Sequence, residues 1–413
     1  PPGRVGIDHT PRSRSRGRLT MLERTPRPIT VLQRERPMRP DLAMVASYIA
    51  LSVLGLLMVY TASAPRLIDL GLNPTQDLER QGVFVIAGFI AFAVVSAFDI
   101  RHLRRWVPGV YAASMITLLL VLTPLGRTVQ GAQRWIDLGV LGQFQPAELA
   151  KVAVIVVLAG LLALRPRALR WDSIVRAVVV VAIPVLLIFL QPDLGTMLSF
   201  GIIAMVILFV AGASWRQMAA LMVAATVGAV ALFQVGAIRT YQVERLTAFL
   251  DVNSDVLGAQ YNLQQSEIAI GTGGLFGKGL FNGTQTNLRF VPEQSSDFIF
   301  TAVGEQLGFV GAVIVLLLFA ILLWRILVAS LHARDRFGQL VAVGAAALIT
   351  FHVFVNVGMT VGVMPITGLP LPFMSAGGTA FIAMSIALGM AHSIWLRRSP
   401  VPGERAFDRA QAP

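Results

Sequence analysis

The stretch RFVPEQSSDFIFTAVGEQLG, Arg289 to Gly308, sets three carboxylates, Glu293, Asp297 and Glu305, where a long polar segment runs into a long apolar one. Two roles suit acids in such a place. Ser and Asp side chains cap helix N-termini by accepting from the first free amides, and Ser295, Ser296 and Asp297 are all of capping type. A carboxylate at a membrane lip can also take a proton from a polar substrate. Glu293 reads as loop solvation. Glu305 falls roughly two turns into the apolar run, where a buried acid is costly and demands a partner or a cavity.

Other stretches carry charge into apolar surroundings. FQPAELAK places Glu148 and Lys151 three apart, on one helix face, with Pro146 suited to a first helical position. Glu148 complements the helix dipole there; Lys151 does not, so it needs an acid partner or a polar cavity. GAQRWIDLG carries Trp135, ordinary at a membrane interface, and Arg134, whose guanidinium fork matches phosphate oxygens. In QPDLGT, Asp193 suits an N-cap. GTGGLFGKG, Gly271 to Gly279, lacks the P-loop spacing, since Lys278 is followed by Gly279 and not by Ser or Thr. It reads instead as a flexible cationic turn able to bring amides and Lys278 to a pyrophosphate. GVMPITGLPLPFMSAGGT cannot be one regular helix and is expected to break the start of the last span beside a site.

The elements that position these groups follow from composition. Hydrophobic residues make up 55% of the 413 and charged residues 14%, with mean hydropathy +0.70; a soluble domain carries about a quarter charged residues. The chain has no cysteine, which excludes disulfides, thiolate nucleophiles and zinc-cysteine sites. His9, His102, His332, His352 and His392 show no metal-ligand spacing. An all-α polytopic membrane protein is expected, with about ten spans of roughly 20 residues. They lie near 41–62, 81–98, 107–125, 147–164, 174–190, 195–212, 217–236, 298–324, 338–360 and 373–396.

The net charge of +12 would suit a nucleic-acid surface, but the arginines crowd the first forty residues and alternate short loops. By the positive-inside rule both termini are cytoplasmic and the large loop of about 237–297, between the seventh and eighth spans, is extracellular. That loop gathers Arg239, Arg245 and Lys278 with many apolar residues, and short helices folded onto the membrane mouth are expected. Residues 1–40 form a basic leader and 397–413 a tail, both expected to be disordered, around a membrane domain of 41–396. The leader is not of signal-peptide type, and Met21 is an alternative start.

GAQRWIDLG, FQPAELAK, QPDLGT, QQSEIAIGTGGLFGKG, PEQSSDFIF, GEQLG and LPLPFMSAGGT occur in the order found in the SEDS family, which the chain resembles over roughly 41–396. NGTQTNLRFVPEQ is more similar to the elongation branch than to the division branch. The resemblance implies ten transmembrane helices and an extracellular site in a multi-pass plasma-membrane protein. It implies a peptidoglycan glycosyltransferase that polymerises lipid II beside a class B penicillin-binding protein, with no nucleic acid. The family's acid corresponds to Asp297 and its cavity pair to Glu148 and Lys151; no cofactor is certain, and a divalent cation (Mg or Mn) is the one the family suggests.

On this reading Asp297 takes the proton from an acceptor hydroxyl, which displaces lipid-linked diphosphate with inversion. Arg134, Lys151, Arg239, Arg245 and Lys278 are the cations available to the leaving group, and a general acid is dispensable for a diphosphate. A lipid II flippase, the division-type polymerase and a non-catalytic scaffold are the competing readings.

Overall fold

The computed structural model describes Gly3, Gly6 and residues 39–398, apart from 130–131, 138, 140–141, 167 and 237–258. Arg239 and Arg245, together with the first half of the large loop, lie outside the described residues.

The architecture is helical, and each expected span falls on a helix. These are α1 (Leu42–Asp69), α2 (Gln76–Ala97), α3 (Val107–Val121), α4 (Pro146–Leu162), α5 (Trp171–Leu190), α6 (Leu194–Val210) and α7 (Trp215–Gln234). The large loop supplies α8 (Ala259–Gly273) and the short α9 (Thr284–Asn287); α10 (Ile299–Leu331), α11 (Arg336–Thr360) and α12 (Gly378–Leu396) follow. Among the described residues, seven helices are long and apolar enough to cross a membrane by length and composition. Helices α3, α4 and α6 have 15, 17 and 17 residues, shorter than the roughly 20 of a full crossing.

Helix starts follow local chemistry. Asp41, Asp193 and Asp335 accept from the amides of Met44, Thr196 and Gly338, and Ser214 with Gln217 forms a capping box on α7. Pro146 occupies the first turn of α4, where its missing N–H costs nothing. α4, α11 and α12 are buried along most of their length, whereas α7 is exposed along most of its own. α12 lies against α2, and close approach there requires glycine: a Cβ on Gly88 would sit 2.4 Å from the Phe381 ring.

Two departures from the expected layout matter for the site. The segment after the third span forms a small antiparallel sheet, β1 (Gly126–Val129), β2 (Ala132–Asp137) and β3 (Gln143–Phe144), in the order β1-β2-β3. Arg127 pairs with Trp135 and Ile136 with Phe144. The last span begins at Gly378, not 373, and residues 361–377 are non-helical.

Candidate functional site

Lys151 and Glu148 face each other on α4, as their spacing requires. Lys151 Nζ donates to Glu148 Oε1 at 2.8 Å, with Lys151 0% exposed and Glu148 2%. His352 on α11 adds a second contact, its Nε2 lying 3.0 Å from Lys151 Nζ. The remaining oxygen, Glu148 Oε2, is buried without a hydrogen-bond partner. The pair therefore retains acceptor capacity inside the protein.

Asp297 is not the N-cap residue of the helix that follows it: that position is Phe298, whose side chain makes no capping bond. A loop turn holds Asp297 instead: the amides of Ser296 and Asp297 donate to the Glu293 carbonyl at 3.2 and 3.0 Å. Glu293 is exposed, with φ +53. Asn356 on α11 donates through Nδ2 to the Asp297 carbonyl at 2.7 Å. The Asp297 side chain is half-buried.

The non-helical segment before α12 joins these groups. His352 Nδ1 lies 3.1 Å from the Pro370 carbonyl, and Asn356 Nδ2 donates to the Leu369 carbonyl at 2.8 Å. The Ala376 amide donates to the Ser295 carbonyl at 2.8 Å, two residues from Asp297. Gly195, beside Asp193, packs against the same segment, where an added Cβ would meet the Thr367 carbonyl at 2.9 Å. Gln81 on α2 braces its far end, donating to the Ser375 carbonyl and accepting from the Gly377 amide. The expected break is thus a shared anchor for α2, α6, α11 and the turn before α10, and through His352 for Lys151 on α4.

Arg134 on β2 reaches Asp193, Nη1 to Oδ2 3.2 Å, while Asp193 also caps α6 through Oδ1. The capping role expected for Asp193 is present, together with an ion pair that the sequence did not announce. Arg134 Nε is buried without a hydrogen-bond partner. Trp135 is half-buried on the same strand.

Glu305 and Lys278 meet each other. Glu305 is 0% exposed and accepts from the amides of Gln285 and Thr286, from the Thr286 hydroxyl, and from Lys278 Nζ at 3.4 Å. Lys278 also donates to Thr284 Oγ1 at 2.6 Å. The glycine-rich turn packs against this part of α10. Gly308, at φ +67, kinks α10 and interrupts its regular bonding. The Lys278 and Gly279 amides donate to the carbonyls of Glu305 and Gln306, and those of Phe309 and Val310 donate to Gly274 and Leu275. A Cβ on Gly277 would meet the Gln306 carbonyl at 2.1 Å. The glycines allow backbone to pack on backbone, and the Lys278 and Gly279 amides donate to protein carbonyls.

Among the described residues no group of three or more His, Asp or Glu side chains is placed to hold a metal ion.

Comparison with known proteins supplies the family. The model of the cell cycle protein family FtsW/RodA/SpoVE matches residues 42–399. The chain belongs to this family. It is 37% identical over 362 residues to the peptidoglycan glycosyltransferase MrdB of Escherichia coli K12, covering 87% of this chain and 94% of MrdB. The stage V sporulation protein E of Bacillus subtilis 168 is 35% identical over 354 residues, covering 85% and 95%. Among solved structures, a chain from a study of a peptidoglycan synthase complex that coordinates polymerization and crosslinking superposes with TM-score 0.72. It is 33% identical, with 88% of this chain and 99% of that one covered. The rod shape determining protein RodA of Thermus thermophilus gives TM-score 0.64 at 30% identity, covering 88% and 98%. The FtsW/RodA/SpoVE membership spans every described group discussed here, from the Lys151 pair to the segment before α12.

His352, Asn356 and Gln81 were not singled out from the sequence. The signal was present: polar residues inside apolar spans either face a cavity or hold another element.

Proposed function

We propose that this FtsW/RodA/SpoVE member is a peptidoglycan glycosyltransferase that polymerises lipid II on the outer face of the plasma membrane, in the elongation role. Both termini are cytoplasmic in this reading. The observation that carries it is Asp297: a half-buried carboxylate before α10, its backbone tied through α11 to a buried Lys151–Glu148 pair.

In the proposed reaction the acceptor sugar's 4-hydroxyl gives its proton to the Asp297 carboxylate. Its oxygen bonds to the donor's anomeric carbon from the face opposite the diphosphate. The bond from that carbon to the phosphate oxygen breaks, its electron pair leaves with the lipid diphosphate, and configuration inverts. Charge on the leaving group is met by cations in a water-poor site, where they act most strongly. Arg134 suits this role best, since its buried Nε has no hydrogen-bond partner; Lys151, held by Glu148 and His352, is the second cation near the shared anchor. Lys278 is engaged by Glu305 and is better read as structural. A divalent ion, if bound, would add charge neutralisation at the diphosphate. A class B penicillin-binding protein is the proposed partner, in keeping with the synthase complex to which this fold is similar.

A flippase is the second reading, favoured by the buried pair beside an unwound segment, a combination typical of transporters. Purified protein given fluorescent lipid II separates the two. Glycan ladders support the polymerase; translocation in liposomes without ladders supports the flippase and overturns the polymerase.

A further inference from the structure

Helix α11 carries His352 and Asn356 four residues apart in TFHVFVNVGM, both 0% exposed. That spacing sets them on one helix face, one turn apart. Each holds the non-helical segment with one contact and a group of the proposed site with the other. His352 joins Pro370 to Lys151, and Asn356 joins Leu369 to Asp297.

The partners of His352 fix its protons. A carbonyl oxygen only accepts, so Nδ1, 3.1 Å from the Pro370 oxygen, carries hydrogen. An ammonium only donates, so Nε2, 3.0 Å from Lys151 Nζ, is bare. A ring protonated on both nitrogens would turn an N–H toward the ammonium and set two cations together in a buried place. Asn356 is fixed in the same way, because both of its amide hydrogens are taken by carbonyls.

Lys151 ends a flexible four-carbon stem, and Glu148 offers it two oxygens. With Glu148 as its only partner the ammonium could settle between both, and each charge would quench the other. His352 draws Nζ to one side, so that it bonds Oε1 while Oε2 stays unpaired.

We propose that His352 is a positioning residue. As a neutral Nδ1–H imidazole it holds the Lys151 ammonium off the second oxygen of Glu148, and it pins that cation to the segment that Asn356 ties to Asp297. The proposal rests on the glycosyltransferase reading for its kinetic consequence and on geometry alone for the tautomer.

The test uses full-length protein in bilayers, as wild type, H352Q, H352F and K151M. Solid-state NMR of 15N-histidine-labelled samples reads the ring nitrogens, with the His352 signals assigned by their loss in H352Q. Glycan synthesis supplies kcat and KM. The expected spectrum has a protonated Nδ1 and a bare Nε2 that shifts in K151M. H352Q, which can still accept from Lys151, should keep kcat within about threefold, whereas H352F should lose about ten- to a hundredfold with KM nearly unchanged.

A protonated Nε2, an Nε2 signal indifferent to K151M, or H352F at wild-type kcat would each overturn the proposal. So would a folded H352Q as inactive as H352F. Should H352F not fold, the spectra and H352Q decide. Should wild type make no glycan, the glycosyltransferase reading falls while the spectra still decide the grip on Lys151.

Discussion

Thr286 gives both its amide, at 3.0 Å, and its hydroxyl, at 2.6 Å, to the same oxygen of Glu305, a residue nineteen positions further along. A carboxylate on α10 therefore closes the start of α9, a helix in another part of the chain. Lys278 neutralises it from the glycine-rich turn, and Gln294 donates to Thr286 Oγ1 at 2.9 Å three residues before Asp297. The acid inside the apolar run is the peg on which the described half of the large loop hangs.

Removing that peg should loosen the loop. Glu305→Ala leaves the buried Thr286 amide, the half-buried Gln285 amide and an ammonium without their acceptor, a loss of about 3–5 kcal/mol for such a network. Glu305→Gln keeps one acceptor oxygen and should cost less. Thermal unfolding in detergent should rank wild type above E305Q above E305A, and proteolysis should reach residues 274–297 first in E305A. Equal melting of all three would contradict the role.

The buried pair should behave as a coupled unit. Lys151→Met alone strands the Glu148 carboxylate, whereas the double variant K151M/E148Q removes both charges. Breaking one partner of a buried pair costs about 3–5 kcal/mol, and removing both is often close to neutral. The double variant should therefore melt nearer to wild type than K151M does, yet still make no glycan. Additive melting losses would show that the two side chains act independently.

Outside the membrane-spanning helices, Asp99 supplies a pH-dependent tether. It caps the 3₁₀ turn Ile100–Trp106, and the Arg101 guanidinium bonded to it holds its carboxyl down at about 2, below the ordinary 3.8. A carboxyl lowered by folding stabilises the fold fully above the unfolded value and loses that contribution as pH falls through the folded one. The melting temperature of wild type should thus drop more steeply between about pH 4 and pH 2 than that of Asp99→Asn. Parallel curves would contradict this.

Much of this was legible from patterns that physics makes local. Apolar runs placed each span, and spacing three apart put Lys151 against Glu148. Proline and glycine foretold the break before Gly378. What escaped was decided by tertiary partners. Strands of four, six and two residues carry too little alternation to stand out from a loop. GTGGLFGKG offered cationic turn chemistry, but its glycines serve contact with the kinked backbone at Gly308, thirty residues away and invisible to any window. Lys278 looked free because Glu305 lies 27 residues further on. His352 and Asn356 are polar in an apolar span but were not singled out, because their partners at Lys151 and Asp297 appear only in the fold.

The central claim is that the Asp297 carboxylate accepts the acceptor hydroxyl's proton. Asp297→Asn keeps size and the backbone bond to Asn356 while abolishing the base. The decisive measurement is glycan polymerisation from labelled lipid II by purified D297N beside wild type, with melting curves for both. D297N should melt as wild type does and form no glycan ladder; ladders formed at the wild-type rate would mean that another group takes the proton.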